Sequence, residues 1–462
     1  MLFLKGQNVS KVIVISACLT LLVPACSDDT SNTDGGSGND GGVTNPVTCT
    51  GTACTIQGNI LSDVTLKGAN QYLIKGGVFV GNDSDKTPTL TIEAGTVIKG
   101  DQATKAMLVI QRGAKIMAIG TKDKPIVFTS AKSVGSRARG DWGGIIINGK
   151  ATNNRCPATG DCNIKGEGGT GTFGGTNDSD NSGTMKYVRI EFAGRLIDEK
   201  NELNGLALQG VGSGTTLEYI QVHMGQDDGI EFFGGTARIK HLVITGSDDD
   251  NLDWTDGWRG KGQFIIVQQY KDAGDNGIEA DNLEDNNKAT PRSKPMLSNM
   301  TFVGSPQAST SDMGALLRRG TGANIYNTIF TAFNDACFDL DDDETFTNAW
   351  DGQTSSNITG QLTVDSTIFN CTTNFKEKSG DKWSIKTFVM TKNKLNKEAD
   401  PKLTAPTNEA SPDFSPASGS PAVGSGVATQ PSDSWFDSVD YIGAIKDSAS
   451  DWTKGWTNYA QK

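Results

Sequence analysis

"QDDGIEFFGG" at residues 226–235, "SDDDNLDW" at 247–254 and "GDNGIEAD" at 274–281 share one pattern: acids, a turn residue, then apolar, acid, apolar. Aligning on that triplet stacks Gly205-Leu206-Ala207-Leu208, Gly229-Ile230-Glu231-Phe232, Asn251-Leu252-Asp253-Trp254, Gly277-Ile278-Glu279-Ala280 and Cys337-Phe338-Asp339-Leu340, with steps of 24, 22 and 26 residues from Gly205 before a longer gap. Repeats of this length mark stacked units, none of which can bury its own apolar face. A second series keeps step with the first: "TLEYIQV" at 216–222, "RIKHLVI" at 238–244 and "QFIIVQQ" at 263–269. Two or three short strands per turn, joined by Gly and Asn corners that tolerate left-handed backbone angles, describe a coil of parallel β-strands. Strand alternation then sends Ile230 and Phe232, Leu252 and Trp254, and Phe338 and Leu340 into the core, and turns Glu231, Asp253, Glu279 and Asp339 outward.

Composition agrees with an all-β chain. The 462 residues include 56 glycines, and Thr, Val, Ile, Asn and Asp recur in short alternating runs rather than in helix-forming stretches. With 54 carboxylates against 42 Lys and Arg, the surface is unsuited to tracking phosphates, which argues against nucleic acid as a partner. Cations and polyhydroxyl ligands stay open.

Several stretches resemble known proteins. "LTIEAGTVIKGD" at 90–101 and "LVIQRGAKIMAIGTKDKPIVFTSA" at 108–131 look like the opening turns of right-handed parallel β-helices of the pectin-lyase-like group, and "DFSPASGSPAVGSG" at 413–426 with "DYIGAIK" at 440–446 looks like their ends. "YVRIEFAG", "DDGIEFFGG", "SDDDNLDW", "NGIEADN" and "GALLRRG" are similar to a widespread family of Gram-negative surface lipoproteins. The resemblance covers roughly residues 55–460 and implies a right-handed parallel β-helix and a surface location; it does not imply an activity.

The first residues read as a secretory signal. Lys5 and Lys11 supply positive charge, and Val12 to Val23 form an apolar core too short for a membrane span. "LLVPAC" at 21–26 resembles a lipobox, making residues 1–25 a lipoprotein signal and Cys26 the lipidated residue that ties the protein to the outer membrane. "ISAC", ending at Cys18, is the competing match, but it leaves too short an apolar core. Residues 26–48, rich in Gly, Ser and Asp, have little to bury and read as a flexible tether. The stretch Ser27-Asp28-Asp29 looks like an acidic surface-export signal, although a solvated linker carries the same letters.

The remaining cysteines number six, an even count in an oxidising compartment. The short separations favour Cys49 with Cys54, Cys156 with Cys162, and Cys337 with Cys371. Zinc is the other reading, but the spacings are not those of metal knuckles and only His223 and His241 are present. The expected organisation is a capped β-helix over 49–445, a surface excursion at 150–183 pinned by a disulfide, and a C-terminal segment, 446–462, packing on the coil.

The chemistry sits on the outward acids. Adjacent coils lie about 4.8 Å apart, so Glu231, Asp253 and Glu279 form a column of like charges that must be screened, protonated or joined by a cation. Asp227, Asp228, Asp248, Asp249, Asp250 and Asp275, on the turns entering these strands, add oxygen ligands. Such a set suits Ca²⁺, which takes six to eight oxygens in flexible geometry; a solvated acidic face is the plain alternative. "DLDDDETF" at 339–346 and "NDSDNSG" at 177–183 carry alternating oxygens as well, without the rest of a calcium-binding hand.

An enzyme reading uses the same residues. Carboxylates one coil apart approach the roughly 5 Å spacing of retaining glycosidases, and a lyase would pair calcium with a base drawn from Arg238, Arg259, Lys261, Arg318 or Arg319. "GQDDGIEF" followed by "ARIK" is similar to the paired-Asp and Arg-Ile-Lys signatures of polygalacturonases, but the Gly-His-Gly turn between them is missing. Trp254 is expected inside; Trp258, past the Asp256-Gly257 turn, is the exposed candidate for a sugar ring, with Arg259 beside it. The sequence thus leads to a lipid-anchored β-helix that binds surface glycans without catalysis, possible calcium included. A polysaccharide lyase or glycoside hydrolase on the same scaffold comes next, then a structural surface-layer component.

Overall fold

The computed structural model describes residues 45–157, 162–198, 201–350, 360–392 and 395–462. The signal segment, Cys26 and the tether up to residue 44 lie outside the described residues.

The repeat closes into a coil with three parallel sheets. Sheet 1 stacks Val64–Leu66, Thr89–Ile92 and Lys115–Ile119, then the first halves of Gly183–Glu191, Thr216–His223, Arg238–Thr245, Lys261–Gln268, Met296–Val303 and Ala323–Thr331. Sheet 2 holds the second halves of those long strands, continuing from Val97–Gly100 and Ile126–Ser130 and on to Ile368–Asn370. Sheet 3 stacks Met107–Ile110, Ile145–Asn148, Leu206–Gln209, Ile230–Phe233, Leu252–Thr255, Ile278–Ala280, Leu316–Leu317 and Asp339–Leu340. The inward residues named from alternation, Ile230, Phe232, Leu252, Trp254, Phe338 and Leu340, are all fully buried.

Between sheets 1 and 2 the strands bend at one residue per coil. Tyr187, Tyr219, His241, Phe264, Asn299, Asn327 and Ser366 take φ of 51°, 55°, 59°, 62°, 57°, 50° and 53° there. Left-handed backbone is costly for side chains of this kind, so the corner needs compensation. Part of it is stacking: the rings of Tyr187 and Tyr219, Tyr219 and His241, and His241 and Phe264 lie 4.3, 4.2 and 4.9 Å apart. The rest comes from the final stretch of chain, from Thr429 onward, which runs back along this corner. Trp456 meets Tyr187 edge-on at 5.7 Å and Trp452 meets His241 at 4.9 Å, while Asn299 and Asn327 donate to the Tyr441 and Thr429 carbonyls at 3.0 and 2.7 Å.

The pairings Cys49–Cys54, Cys156–Cys162 and Cys337–Cys371 are formed. The first joins the antiparallel strands Val47–Thr50 and Ala53–Ile60 at the start of the coil. At the other end, Ile385, Phe388 and Val389 of the helix Ile385–Lys392 are fully buried in the core beside Trp350. The 150–183 stretch is not a free excursion. Phe173 packs with Phe233, Val109, Ile146, Ala207 and Leu203 on the outer face of sheet 3, joined there by the hairpin of Arg195–Asp198 and Asn201–Leu203. This cover sits directly over the part of sheet 3 that carries the acids.

Candidate metal centre

Glu231, Asp253 and Glu279 are register partners on successive strands of sheet 3, so their carboxylates stack in one column. At the next position Leu316 interrupts the acidic run, with Asp339 beyond it. The turns entering the strands stack as well. Gly229 N–H donates to the Asp250 carbonyl at 3.0 Å and Asp275 N–H to the Asp249 carbonyl at 3.2 Å, aligning Asp228 with Asp250 and Asp249 with Asp275.

The result is a connected set of carboxylates. Among the described residues, four groups have ligand oxygens within 4.8 Å of one another: Glu202, Asp227 and Asp249; Asp228, Glu231 and Asp253; Asp249, Asp250 and Asp275; and Asp250, Asp253 and Glu279. Asp249, Asp250 and Asp253 each belong to two groups, so the groups run into one another as a slot. Asp248 belongs to none of them; it lies exposed at the slot's mouth.

Outward did not mean solvated, and here the sequence reading needs correcting. Asp227, Asp228, Glu231 and Asp250 are only 8%, 7%, 9% and 4% exposed, because the insertion and the hairpin lie over this face. Asn204, at the end of that hairpin, donates Nδ2 to Glu231 Oε2 at 2.8 Å, and Glu202 from the same hairpin completes one carboxylate group. Glu202 lies outside the repeat, and no periodicity pointed to it. At the mouth, Glu202, Asp227, Asp248 and Asp249 line a cavity of about 350 Å³ with Leu196 and Gln226.

Few protein groups neutralise the interior. Asp228 Oδ1 accepts the Asp250 N–H at 3.1 Å and Asp250 Oδ1 accepts the Asn276 N–H at 2.7 Å, whereas Asp253 Oδ1 is buried with no hydrogen-bond partner among the described residues. Burial first, and neighbouring carboxylates second, raise Asp228, Glu231, Asp250 and Asp253 well above the usual carboxylate range. Burial, then a hydrogen bond with Glu202 and the charges around it, pushes Asp227 to about 9, and burial with the charges of Asp249 and Asp312 pushes Asp275 to about 6. Glu279 is pushed by burial to about 7 despite the opposing charge of Arg318. Arg318 is itself divided between Glu279 and Asp281, the latter bonded at 2.9 Å, and Arg319 holds Asp281 at 2.6 Å. Burial works against the Arg318 charge, but these carboxylates outweigh it and hold the guanidinium above its ordinary value.

Such a set of oxygens, without nitrogen or sulfur, fits a hard cation and suits calcium better than zinc. Among the described residues the stretch at 339–346 forms no such carboxylate group: Asp339 lies in the column and Asp343–Ala349 forms a short helix.

The expected ligand platform is corrected outright. Trp258 is fully buried, stacks on Phe232 at 3.9 Å and donates its indole N–H to the Ala237 carbonyl at 3.2 Å. The Asp256-Gly257 turn, with φ of 60° and 86°, returns the chain to the core sooner than alternation from Trp254 suggested. Arg259 ties down the insertion through Asp178 at 3.2 Å and a bond to Thr152, so it serves architecture. Of the other basic candidates, Lys261 pairs with Asp433, on which the charge of Arg238 also acts. His223 is buried between Thr245 and the Ala460 carbonyl, and His241 stands in the corner stack.

Compared with protein-family models, residues 58–457 match the pectate-lyase-like β-helix domain. No curated protein and no solved structure matches the chain.

Proposed function

The chain belongs to the pectate-lyase-like β-helix family, and from that premise we propose that it is a calcium-loaded binding scaffold without catalytic turnover. It is displayed at the bacterial surface from a lipidated Cys26 and attaches to glycans or similar surfaces. The observation that carries the cation is Asp253, shared by two carboxylate groups and retaining a buried oxygen with no hydrogen-bond partner among the described residues. Two calcium positions follow, one among Asp228, Glu231 and Asp253 and one among Asp250, Asp253 and Glu279, bridged by Asp253.

Access and chemistry support binding over catalysis. Glu231, Asp253 and Glu279, the pair-forming acids of a hydrolase reading, are absent from the residues that line the cavity at the mouth. Arg318, the basic group beside them, is held charged by Glu279 and Asp281, a poor state for a general base. The three disulfides fit an extracytoplasmic location. The reading is tested by incubating the calcium-loaded protein with acidic polysaccharides and following both the ultraviolet absorbance of unsaturated products and reducing ends. Neither should change, and a sustained rate that Asp253→Asn abolishes would replace the scaffold with an enzyme.

A further inference from the structure

The first coils differ in charge from the rest of the chain. Residues 53–130 hold nine Lys and Arg against six Asp and Glu, on a chain whose net charge is −12. Three of the nine are tied locally: Lys67 to Glu93 at 2.8 Å, Lys86 to Asp85 at 3.2 Å, and Arg112 to Asp83. Lys75, Lys99, Lys105, Lys122 and Lys124 form no ion pair with a described residue. All five stand around the outer face of sheet 2. Strand pairing sets Leu73 beside Lys99, with Lys75 farther along the same strand as Leu73. The Gly76 N–H donates to the Thr104 hydroxyl at 2.9 Å, which brings the turn bearing Lys105 up to Lys75. Lys122 and Lys124 lie on the turn from Lys115–Ile119 into Ile126–Ser130, at the opposite margin of the sheet.

Between these margins the outward residues Leu73 and Val97 are half-buried. Farther along, the same face is closed. The Trp456 carbonyl accepts from Arg189 at 3.2 Å, and Val243 and Ile266 are buried with Ala444, Ile445 and Trp456. That cover does not take in Leu73 or Val97. A strand face with an apolar centre and lysine margins matches an anionic lipid surface, where ammonium groups reach phosphates while their stems and the apolar side chains lie against the headgroup boundary.

Position along the chain agrees with charge. Val47–Thr50 pairs with Ala53–Ile60 at the start of the coil, and the nineteen residues from Cys26 to Asn45 can span at most about 65 Å, so a lipid on Cys26 brings this end of the rod nearest the membrane. The acidic slot offers little opposition. The row Phe79, Val109, Ile146, Ala207, Glu231 crosses four coil steps, about 19 Å, beyond the roughly 8 Å over which exposed charges act at physiological salt.

We propose that the uncovered part of sheet 2 on the first coils docks on an anionic membrane surface, with its lysines on lipid phosphates. The rod is then held against the membrane instead of swinging from its tether. The inference rests on the anchored reading for the membrane it meets, and its test is run without the lipid.

The test is co-sedimentation of the chain carrying Cys26→Ser with vesicles of phosphatidylcholine and phosphatidylglycerol in equal parts, beside vesicles of phosphatidylcholine alone. Chelator is present throughout, so that no cation bridges the acidic slot to the lipid. The protein should bind the mixed vesicles, release them as salt is raised, and leave the neutral ones in suspension. Lys75→Gln, Lys99→Gln and Lys105→Gln together should weaken binding roughly a hundredfold, the scale for three lysines near an anionic surface, without changing the far-ultraviolet circular dichroism. Lys271→Gln, Lys288→Gln and Lys402→Gln together remove the same charge elsewhere and should change it little. No binding to the mixed vesicles, equal binding to both kinds, or equal loss in the two triple variants overturns the proposal. The anchor is read separately, by incorporation of labelled palmitate into the unaltered chain, and stands or falls independently of the vesicle result.

Discussion

Glu231 and Asp253 are register partners on adjacent strands, and both belong to one group of carboxylates whose oxygens lie within 4.8 Å of one another. Like charges held this close, and this far from water, make the folded protein bind protons more tightly than the unfolded chain does. Asp275, Glu279 and Asp227, raised to about 6, 7 and 9, each stabilise the fold at low pH and lose that contribution as pH rises through those values. In chelator, the thermal midpoint should therefore fall steadily between about pH 5 and about pH 9, a window set by those raised values. Calcium, replacing the protons, should flatten or reverse the slope. Melting curves across that range check it, and a midpoint that rises with pH in chelator would contradict the electrostatic account.

Trp258 gives a second expectation. Stacked on Phe232 and fully buried, it should cost about 3–5 kcal/mol when replaced by alanine, as large core aromatics do. A surface platform for ligands would lose little stability on the same change, so urea unfolding of Trp258→Ala distinguishes the two placements.

The returning C-terminal segment supplies a third. Trp456 is 1% exposed and packs edge-on against both Tyr187 and Tyr219. Trp456→Ala should loosen the last residues first, raising amide exchange across 448–462, with a cost of about 3 kcal/mol on that segment. Exchange in sheet 3 should not change. If protection were lost evenly over the whole coil, the segment would be an integral part of the core rather than a cover.

Much of this architecture is legible in the sequence because a parallel coil converts spacing along the chain directly into stacking in space. The steps linking Ile230, Leu252 and Ile278 place Glu231, Asp253 and Glu279 in one column without knowledge of any contact. Close cysteines likewise limit the pairings. What covers the coil is not legible in the same way. The insertion and hairpin that bury the acids act through contacts such as Phe173 with Phe233 and Asn204 with Glu231, which no repeat encodes. Glu202 enters the slot only through that cover. The bend between sheets 1 and 2 is hidden for another reason: left-handed backbone is read from glycine and asparagine, yet Tyr187, Tyr219, His241 and Phe264 adopt it, sustained by stacking and by a segment some two hundred residues away. Trp258 was misplaced because period-two alternation stops at the Asp256-Gly257 turn.

The central claim, that the stacked carboxylates form a cation slot bridged by Asp253, is tested most directly by calorimetric titration of chelator-stripped protein with calcium, beside Asp253→Asn. The account predicts two calcium ions per chain, proton release on binding near neutral pH, and loss of both sites in the variant while its fold is retained. Titration without heat, together with a melting temperature indifferent to chelator, would contradict it.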